Sequence, residues 1–258
     1  MRRLAIGCAL LFVVPYAIDA GAAPAGSLDL AADLRVVSAL GQCPPSLDRP
    51  TTICATRASA GRVRGLGSVT IAYTWAIEAG PPSCTTGEAK VLGYPVTIAV
   101  AGKGALNLSV AELGGCVPQL PSRNEPQPFT IVGGTGLYAG ASGQGTVTRE
   151  LGQTATGAAG PETWNGTLTV PGLEFDVVAP VITVTTPKVV RVSRTAKRVR
   201  VRYRVAGRDD VDGVVSVACR PRSGAWFPVG RSLVRCSTVD ASGNSAARSF
   251  AVVVRRRS

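Results

Sequence analysis

Short β-branched segments separated by glycine and proline constrain the fold of this chain more than any other feature. Residues 91–100 and 164–170 are rich in Val, Thr, Ile and aromatic residues, and clusters such as Gly80-Pro81-Pro82 interrupt the chain between such segments. The segments favour strands and the clusters favour turns. Because helix signals are scarce, we predict an all-β protein whose strands close into a barrel or stack as a sandwich, which hides their edges.

The candidate strands of the first part of the chain share this composition. An alternative remains open at residues 28–40, whose pattern is also compatible with a short helix. The meander of short strands predicts an antiparallel β-barrel. Its candidate strands are residues 33–39, 62–78, 91–100, 105–112, 129–132, 145–150 and 164–170.

The first residues have the pattern of a secretory signal peptide. Arg2 and Arg3 precede an apolar run over residues 4–17, and small residues follow at Ala20 and Ala22. This order is typical of a cleaved leader. The run is shorter than the ~20 residues of a spanning helix. We therefore expect a signal peptide over residues 1–22, a secreted or cell-envelope protein, and no transmembrane segment.

Six cysteines follow the leader, and the chain contains no histidine. An even number of cysteines in a secreted chain predicts disulfides. The absence of histidine excludes a zinc site built on imidazole, and no C-x-x-C spacing supports one built on thiolates. The cysteines divide into four before residue 176 and two after it: Cys43, Cys54, Cys84, Cys116, Cys219 and Cys236.

The spacing of the cysteines favours particular pairs. Cys219 and Cys236 flank a loop rich in glycine and proline, so we predict that they pair. For the other four we favour Cys43 with Cys54 and Cys84 with Cys116. Four cysteines allow three connectivities, and the sequence does not choose among them rigorously.

The glycine-rich segment at residues 129–146 begins like a dinucleotide-binding loop, with a short apolar strand that runs into Gly134-Thr135-Gly136. Such a loop needs a helix after it, whose N-terminus faces the pyrophosphate. Residues 141–150 instead contain two glycines and three β-branched residues in succession, which favours a strand. We predict neither nucleotide binding nor any other cofactor.

The same segment resembles the glycine-rich signature of bacterial proteins similar to the dirigent and allene oxide cyclase-like β-barrels. The pattern I-x-G-G-T-G-x-Y-A-G-A-x-G-x-G lies at residues 131–145, and the glycine motifs at residues 65–70 and 164–168 support it. The resemblance covers roughly residues 62–170. It implies a small antiparallel barrel and does not by itself imply isomerase activity.

Near residue 177 the composition shifts to Val, Arg and Lys, and a second set of motifs follows. These are C-x-P-x-S-G at residues 219–224, F-P-x-G at 227–230, V-x-C at 234–236, D-A-S-G-N at 240–244 and a closing strand at 250–254. In this order they resemble the hyalin repeat, an extracellular adhesion-type domain. The resemblance implies an immunoglobulin-like sandwich of about seven strands over residues 176–258, after a barrel over residues 23–175.

The basic charge is concentrated in this second part. Residues 179–258 contain seventeen Lys and Arg against four Asp, whereas residues 1–178 contain eleven against twelve acids. In residues 198–205 arginine alternates with Val or Tyr, which places four arginines on one face of a strand. These residues, called the arginine face below, are Arg198, Arg200, Arg202 and Arg204.

Two interpretations of the arginine face remain open. It is suited to an anionic polysaccharide or cell-wall polymer, without specificity for a nucleic acid. It is also compatible with a solvated sheet face, or with an edge whose charges prevent aggregation, which is the simpler interpretation.

The aspartates of the second part are weak candidates for calcium ligands. Asp209, Asp210 and Asp212 precede Gly213, and Asp240 precedes Gly243-Asn244. Carboxylate and amide oxygens suit calcium, but Asp and Asn before Gly are also what turns require. The spacing does not match an EF-hand loop.

These patterns together favour a secreted binding or adhesion protein without enzymatic activity. The ionisable residues of the first part form no recognisable acid and base pair in the sequence, so no catalytic residue is assigned. Those considered are Asp48, Glu78, Glu88, Glu112, Glu125, Glu150, Glu162, Glu174, Arg57 and Tyr138. The alternative is that the barrel acts as an isomerase or cyclase, or carries a small apolar ligand. The ligand and the oligomeric state stay open.

Overall fold

The computed structural model describes residues 26–46, 50–112, 115–118, 123–185 and 189–257. The expected signal peptide lies outside these residues. All regular elements in the described ranges are strands, as the sequence predicts. No helix in the described part of the chain has the length and apolar character needed to cross a bilayer.

Eleven strands form the first sheet. They are β1 (Ser27–Gly41), β2 (Thr52–Val63), β3 (Gly67–Ala79), β4 (Glu88–Val91), β5 (Tyr94–Val100), β6 (Gly104–Val110), β7 (Cys116–Pro118), β8 (Arg123–Gly136), β9 (Ser142–Glu150), β10 (Gly152–Thr154) and β11 (Gly157–Thr169).

Eight of these strands close into an antiparallel barrel. Their order is β2-β1-β11-β9-β8-β6-β5-β3, and pairing between β2 and β3 closes the ring. Strands β4 and β7 extend the sheet from β3, and β10 pairs with β11. Closure leaves the eight barrel strands without free edges.

Alternating side chains fill the barrel. In β1, buried residues alternate with exposed ones from Leu28 to Ser38, because successive side chains point to opposite faces of a strand. Trp164, Phe129 and Ile71 are among the fully buried side chains of the core. Residues 28–40 lie within β1, so the helical alternative is wrong.

Several strand predictions differ from the structure, and the largest differences concern β2 and β3. Residues 62–78 were expected to form one strand, but Gly65 adopts a φ of 80° and a turn separates β2 from β3. Most of β2 was not predicted, because it alternates Ala, Thr, Ser and Arg and contains few β-branched residues. Pairing with β1 and β3 on both sides stabilises a strand that its intrinsic propensity does not favour.

The glycine-rich segment forms the hairpin between β8 and β9. Leu137 to Gly140 make the turn, with backbone hydrogen bonds from Tyr138 to Thr135 and from Ala139 to Gly136. A strand follows the glycines, as their composition predicts, and the described ranges contain no helix whose N-terminus could face this loop.

Nine strand segments form the smaller sheets of the C-terminal part. They are β12 (Val181–Thr185), β13 (Val190–Val192), β14 (Arg198–Arg200), β15 (Arg204–Asp209), β16 (Gly213–Val215), β17 (Val217–Arg220), β18 (Trp226–Pro228), β19 (Gly230–Val239) and β20 (Ser245–Arg256).

The C-terminal strands surround a second apolar core. Strands β12-β15-β16 form one sheet, β13-β20-β19-β17 form another, and β14 pairs with β18. Ile182, Tyr203, Phe227, Val234 and Val252 are buried between them. This two-layer arrangement is the sandwich that the motifs imply.

The predicted arginine-bearing strand is interrupted. Residues 201–203 leave the regular ladder between β14 and β15, where Ser223 Oγ accepts a hydrogen bond from the Tyr203 amide and donates one to the Tyr203 carbonyl. The side chains nevertheless keep their alternation, because Val201 and Tyr203 are buried while the four arginines are exposed.

Three disulfides link the strands and their loops. They join Cys43 with Cys54, Cys84 with Cys116, and Cys219 with Cys236, which are the pairs favoured from the sequence. Cys219 and Cys236 lie directly opposite each other on β17 and β19. Each bridge remains within one of the two parts of the chain.

The two parts meet at loops of the barrel and of the sandwich. An Arg64 side-chain nitrogen donates a hydrogen bond to the Val177 carbonyl at 2.7 Å. A Cβ atom on Gly67 would lie 2.3 Å from the Ala241 carbonyl oxygen, and Gly67 has a φ of 98°. Only glycine fits this close approach.

Candidate functional site

A charged network occupies the interior of the barrel. Arg149 on β9 and Glu162 on β11 are directly opposite each other, and their side chains form an ion pair of 3.0 Å. Both side chains are completely buried. Glu162 also accepts hydrogen bonds from Trp164 Nε1 at 2.8 Å and Ser59 Oγ at 3.2 Å.

Aromatic and amide groups complete this network. Tyr73 donates to Glu162 Oε2 at 2.5 Å and accepts from Arg149 Nε at 2.7 Å. Burial raises the pKa of the Tyr73 phenol, so the hydroxyl stays protonated. Arg149 also donates to Gln127 Oε1 at 3.0 Å. The buried arginine, carboxylate and tyrosine therefore bind one another.

Sequence reasoning did not find this network, although strand parity contains a signal for it. Val147 and Arg149 are two residues apart on β9 and are both buried, as are Glu162 and Trp164 on β11. Residues two apart share a face. A charged residue two positions from a core residue therefore faces the core. When this occurs on two strands with opposite charges, the pattern indicates an inward-facing ion pair.

A pocket of about 460 Å³ lies at one end of the barrel. We call it the barrel-end pocket. Its size is within the usual range for small-molecule sites. Apolar groups of Leu40, Ala55 and Leu151 line it, together with Arg57 and Trp75.

Two buried donors in this pocket lack hydrogen-bond partners. Arg57 NH1 and Trp75 Nε1 are both buried without an acceptor, although Arg57 Nε donates to Ser38 Oγ. The Arg57 guanidinium lies 4.2 Å from the centre of the Trp75 ring. Burial lowers the pKa of Arg57, and the like charge of Arg149 contributes in the same direction. Unpartnered buried donors are costly, so this pocket suits an anionic or acceptor group.

The arginine face lies on the surface of the sandwich. Arg198, Arg200, Arg202 and Arg204 are all exposed. Arg198 and Arg200 both stack on Trp226 of β18, at 5.0 and 5.2 Å from the ring centre. Trp226 is itself 51% exposed. The sequence alone assigned no functional role to this tryptophan.

The other described basic residues of the sandwich also form no ion pair with a described carboxylate. Among the described residues, no salt bridge joins a carboxylate to an arginine of residues 189–257. Arg220 on β17 is directly opposite Arg235 on β19, and both are exposed. Like charges opposite each other destabilise a sheet. An anion bound over them would relieve this repulsion.

The candidate calcium ligands are only partly brought together. One carboxylate oxygen from each of four aspartates lies within 4.8 Å of the others. Asp209, Asp212 and Asp240 were predicted candidates, whereas Asp210 is not a member and Asp176 was missed. The members, called the acidic cluster below, are Asp176, Asp209, Asp212 and Asp240.

The acidic cluster combines three segments at the junction between the two parts. Asp176 comes from the linker, Asp209 from the end of β15 and Asp212 from the turn that follows it, and Asp240 from the turn before β20. Burial raises the pKa of Asp176, and the carboxylates of Asp240 and Asp209 raise it further. The cluster therefore concentrates negative charge, and all of its members are acidic.

Comparison with known proteins assigns the C-terminal part alone. No curated protein and no solved structure gives a significant match to the chain. Residues 175–254 match the family model of the HYR domain, the hyalin repeat that their motifs and sandwich fold indicate.

Proposed function

We propose that this protein is a secreted, adhesion-type binding protein with a barrel over residues 23–175 and a HYR sandwich over residues 176–258. In this proposal the sandwich contacts an anionic polysaccharide or cell-wall polymer through the arginine face. The HYR match and the disulfides support an extracellular binding role. The HYR domain is not an enzymatic module, which favours binding over catalysis.

The arginine face carries this proposal because its charges are exposed and uncompensated. Arginines two residues apart in a strand are separated by ~6.5 to 7 Å, a spacing that suits successive charges of an extended polymer. Stacking on Trp226 holds Arg198 and Arg200 in place and adds an exposed aromatic surface beside them. Such a surface binds sulfate, phosphate or carboxylate groups through charge.

Retention of the full chain on dextran sulfate and on polygalacturonate tests this proposal. The test variant replaces Arg198, Arg200, Arg202 and Arg204 with Gln. The matched control replaces four exposed arginines outside the face with Gln, at positions 191, 231, 255 and 257. We expect the test variant to elute at lower salt than the control. Equal losses in the two variants would show that only total charge matters.

The barrel-end pocket supports a second function, the binding of a small apolar molecule with an anionic head group. Its unpartnered donors, Arg57 NH1 and Trp75 Nε1, would bind the head group, and its apolar walls would cover the rest. Neither donor is a general base. The pocket therefore favours a carrier over an isomerase or cyclase.

Calorimetric titration with decanoate and with decanol tests this second function. We expect decanoate to bind more tightly than decanol. Arg57→Gln should weaken decanoate binding at least about tenfold and leave decanol binding unchanged, since a hydrogen bond to a charged group is worth about 1.5–3 kcal/mol. Arg62→Gln is the matched control, because Arg62 is exposed on the same strand. Equal binding of both ligands to the wild type would exclude an anion-specific pocket.

A further inference from the structure

The acidic cluster contains carboxylate oxygens that the protein itself does not satisfy. Asp176 Oδ2 and Asp209 Oδ2 are buried and have no hydrogen-bond partner. The second oxygen of each is already used, because Asp176 Oδ1 accepts from the Val178 amide and Asp209 Oδ1 accepts from two amides of its own turn. The turns therefore fix both carboxylates while leaving one oxygen of each free.

Asn244 provides an independent indication of a missing ligand. Its side chain is inserted among the members of the cluster, and its Nδ2 donates to Asp240 Oδ2 at 2.8 Å and to the Asp176 carbonyl at 3.0 Å. The residue is only 3% exposed, yet its Oδ1 has no partner. This amide oxygen and the unpartnered oxygens of Asp176 and Asp209 are three buried acceptors without a donor.

Within the part of the chain that the structure describes, no basic side chain neutralises these acceptors. The chain has a net charge of +12, but among the described residues no lysine or arginine forms a salt bridge with Asp176, Asp209, Asp212 or Asp240. Carboxylates this close repel one another unless a cation or a proton is shared between them.

We propose that the acidic cluster binds one calcium ion at the junction between the barrel and the sandwich. The donors are oxygens only, and they come from the linker and two turns, an irregular arrangement that calcium accepts with six to eight oxygen ligands. Magnesium demands a near-ideal octahedron of shorter bonds, and zinc prefers nitrogen and sulfur donors, which this cluster lacks.

Calcium at this position would stiffen the connection between the two parts. Asp176 lies in the linker, whereas the other three carboxylates belong to turns of the sandwich, so a shared ion ties the linker to the sandwich. The turn of Asp240 continues into Ala241, which packs against Gly67 of the barrel. The ion thus restrains the angle at which the barrel and the sandwich meet.

Calorimetric titration of the full chain with calcium chloride, after chelator treatment, tests the proposal. We expect one ion per chain, a Kd of about 10⁻⁴ to 10⁻³ M or tighter, and weaker binding of magnesium. The melting temperature should rise with calcium and fall again when chelator is added, because a ligand that binds only the folded state stabilises it.

Two neighbouring aspartates provide the test variant and its control. Asp212→Asn removes one carboxylate of the cluster at an exposed position, and we expect it to raise the Kd at least about tenfold. Asp210→Asn makes the same chemical change two residues away, at an exposed position outside the cluster, and should leave the Kd unchanged. Absence of saturable calcium binding by the wild type, or equal weakening by both variants, would overturn the proposal.

Discussion

At the scale of single residues, the interior of the barrel contains a charged pair at a position where apolar side chains are usual. Arg149 and Glu162 are fully buried, and Tyr73 and Gln127 bond to them. Sequence parity could have placed both inside, whereas their mutual bonds could not be predicted, because they depend on the register of β9 against β11. The network fills the barrel at this level and fixes which side chains face inward.

Removal of one partner of this pair should destabilise the protein strongly. We expect Glu162→Gln to lower the free energy of unfolding by about 3–5 kcal/mol, because it leaves the Arg149 guanidinium buried without its counter-charge. The double variant with Arg149→Met and Glu162→Leu should lose much less of its free energy of unfolding, because no charge is left buried without a partner. Urea unfolding of the three proteins measures this difference. A double variant that is less stable than Glu162→Gln would show that the charges themselves are needed.

At the scale of strands, the glycine signature of the sequence corresponds to close contacts between barrel strands. Gly145 on β9 pairs with Gly166 on β11, and a Cβ atom on Gly145 would lie 2.1 Å from the Asn165 carbonyl oxygen. The sequence predicted strands here, since β-branched residues follow the glycines. It did not reveal why the glycines are needed. The need arises from close contact with β11, a strand that comes later in the chain.

Substitution of Gly145 should therefore be costly. We expect Gly145→Ala to lower the free energy of unfolding by about 1–3 kcal/mol, since the added methyl group forces β9 and β11 apart. Gly152→Ala is the control, because its added Cβ would meet nothing closer than 3.8 Å. Thermal or urea unfolding compares them. Equal stability of the two variants would contradict a packing role for Gly145.

At the scale of the whole molecule, the distribution of acids explains why the arginine face is uncompensated. Residues 179–258 contain four Asp, and three of these belong to the acidic cluster. The sandwich thus collects its negative charge at the junction with the barrel, and among the described residues its arginines form no ion pair with a carboxylate. The charge totals and the HYR motifs were readable from the sequence. The proximity of Asp176 to the other three aspartates could not be predicted from the sequence, because the folded turns bring these residues together.

The salt dependence of polymer binding tests the central claim most directly. The affinity of the full chain for dextran sulfate would be measured by titration at several salt concentrations. We predict that the logarithm of the association constant falls linearly with the logarithm of salt concentration. Replacement of Arg198, Arg200, Arg202 and Arg204 with Gln should reduce the slope by up to about one per arginine. A slope that is the same in the wild type and this variant would contradict the account.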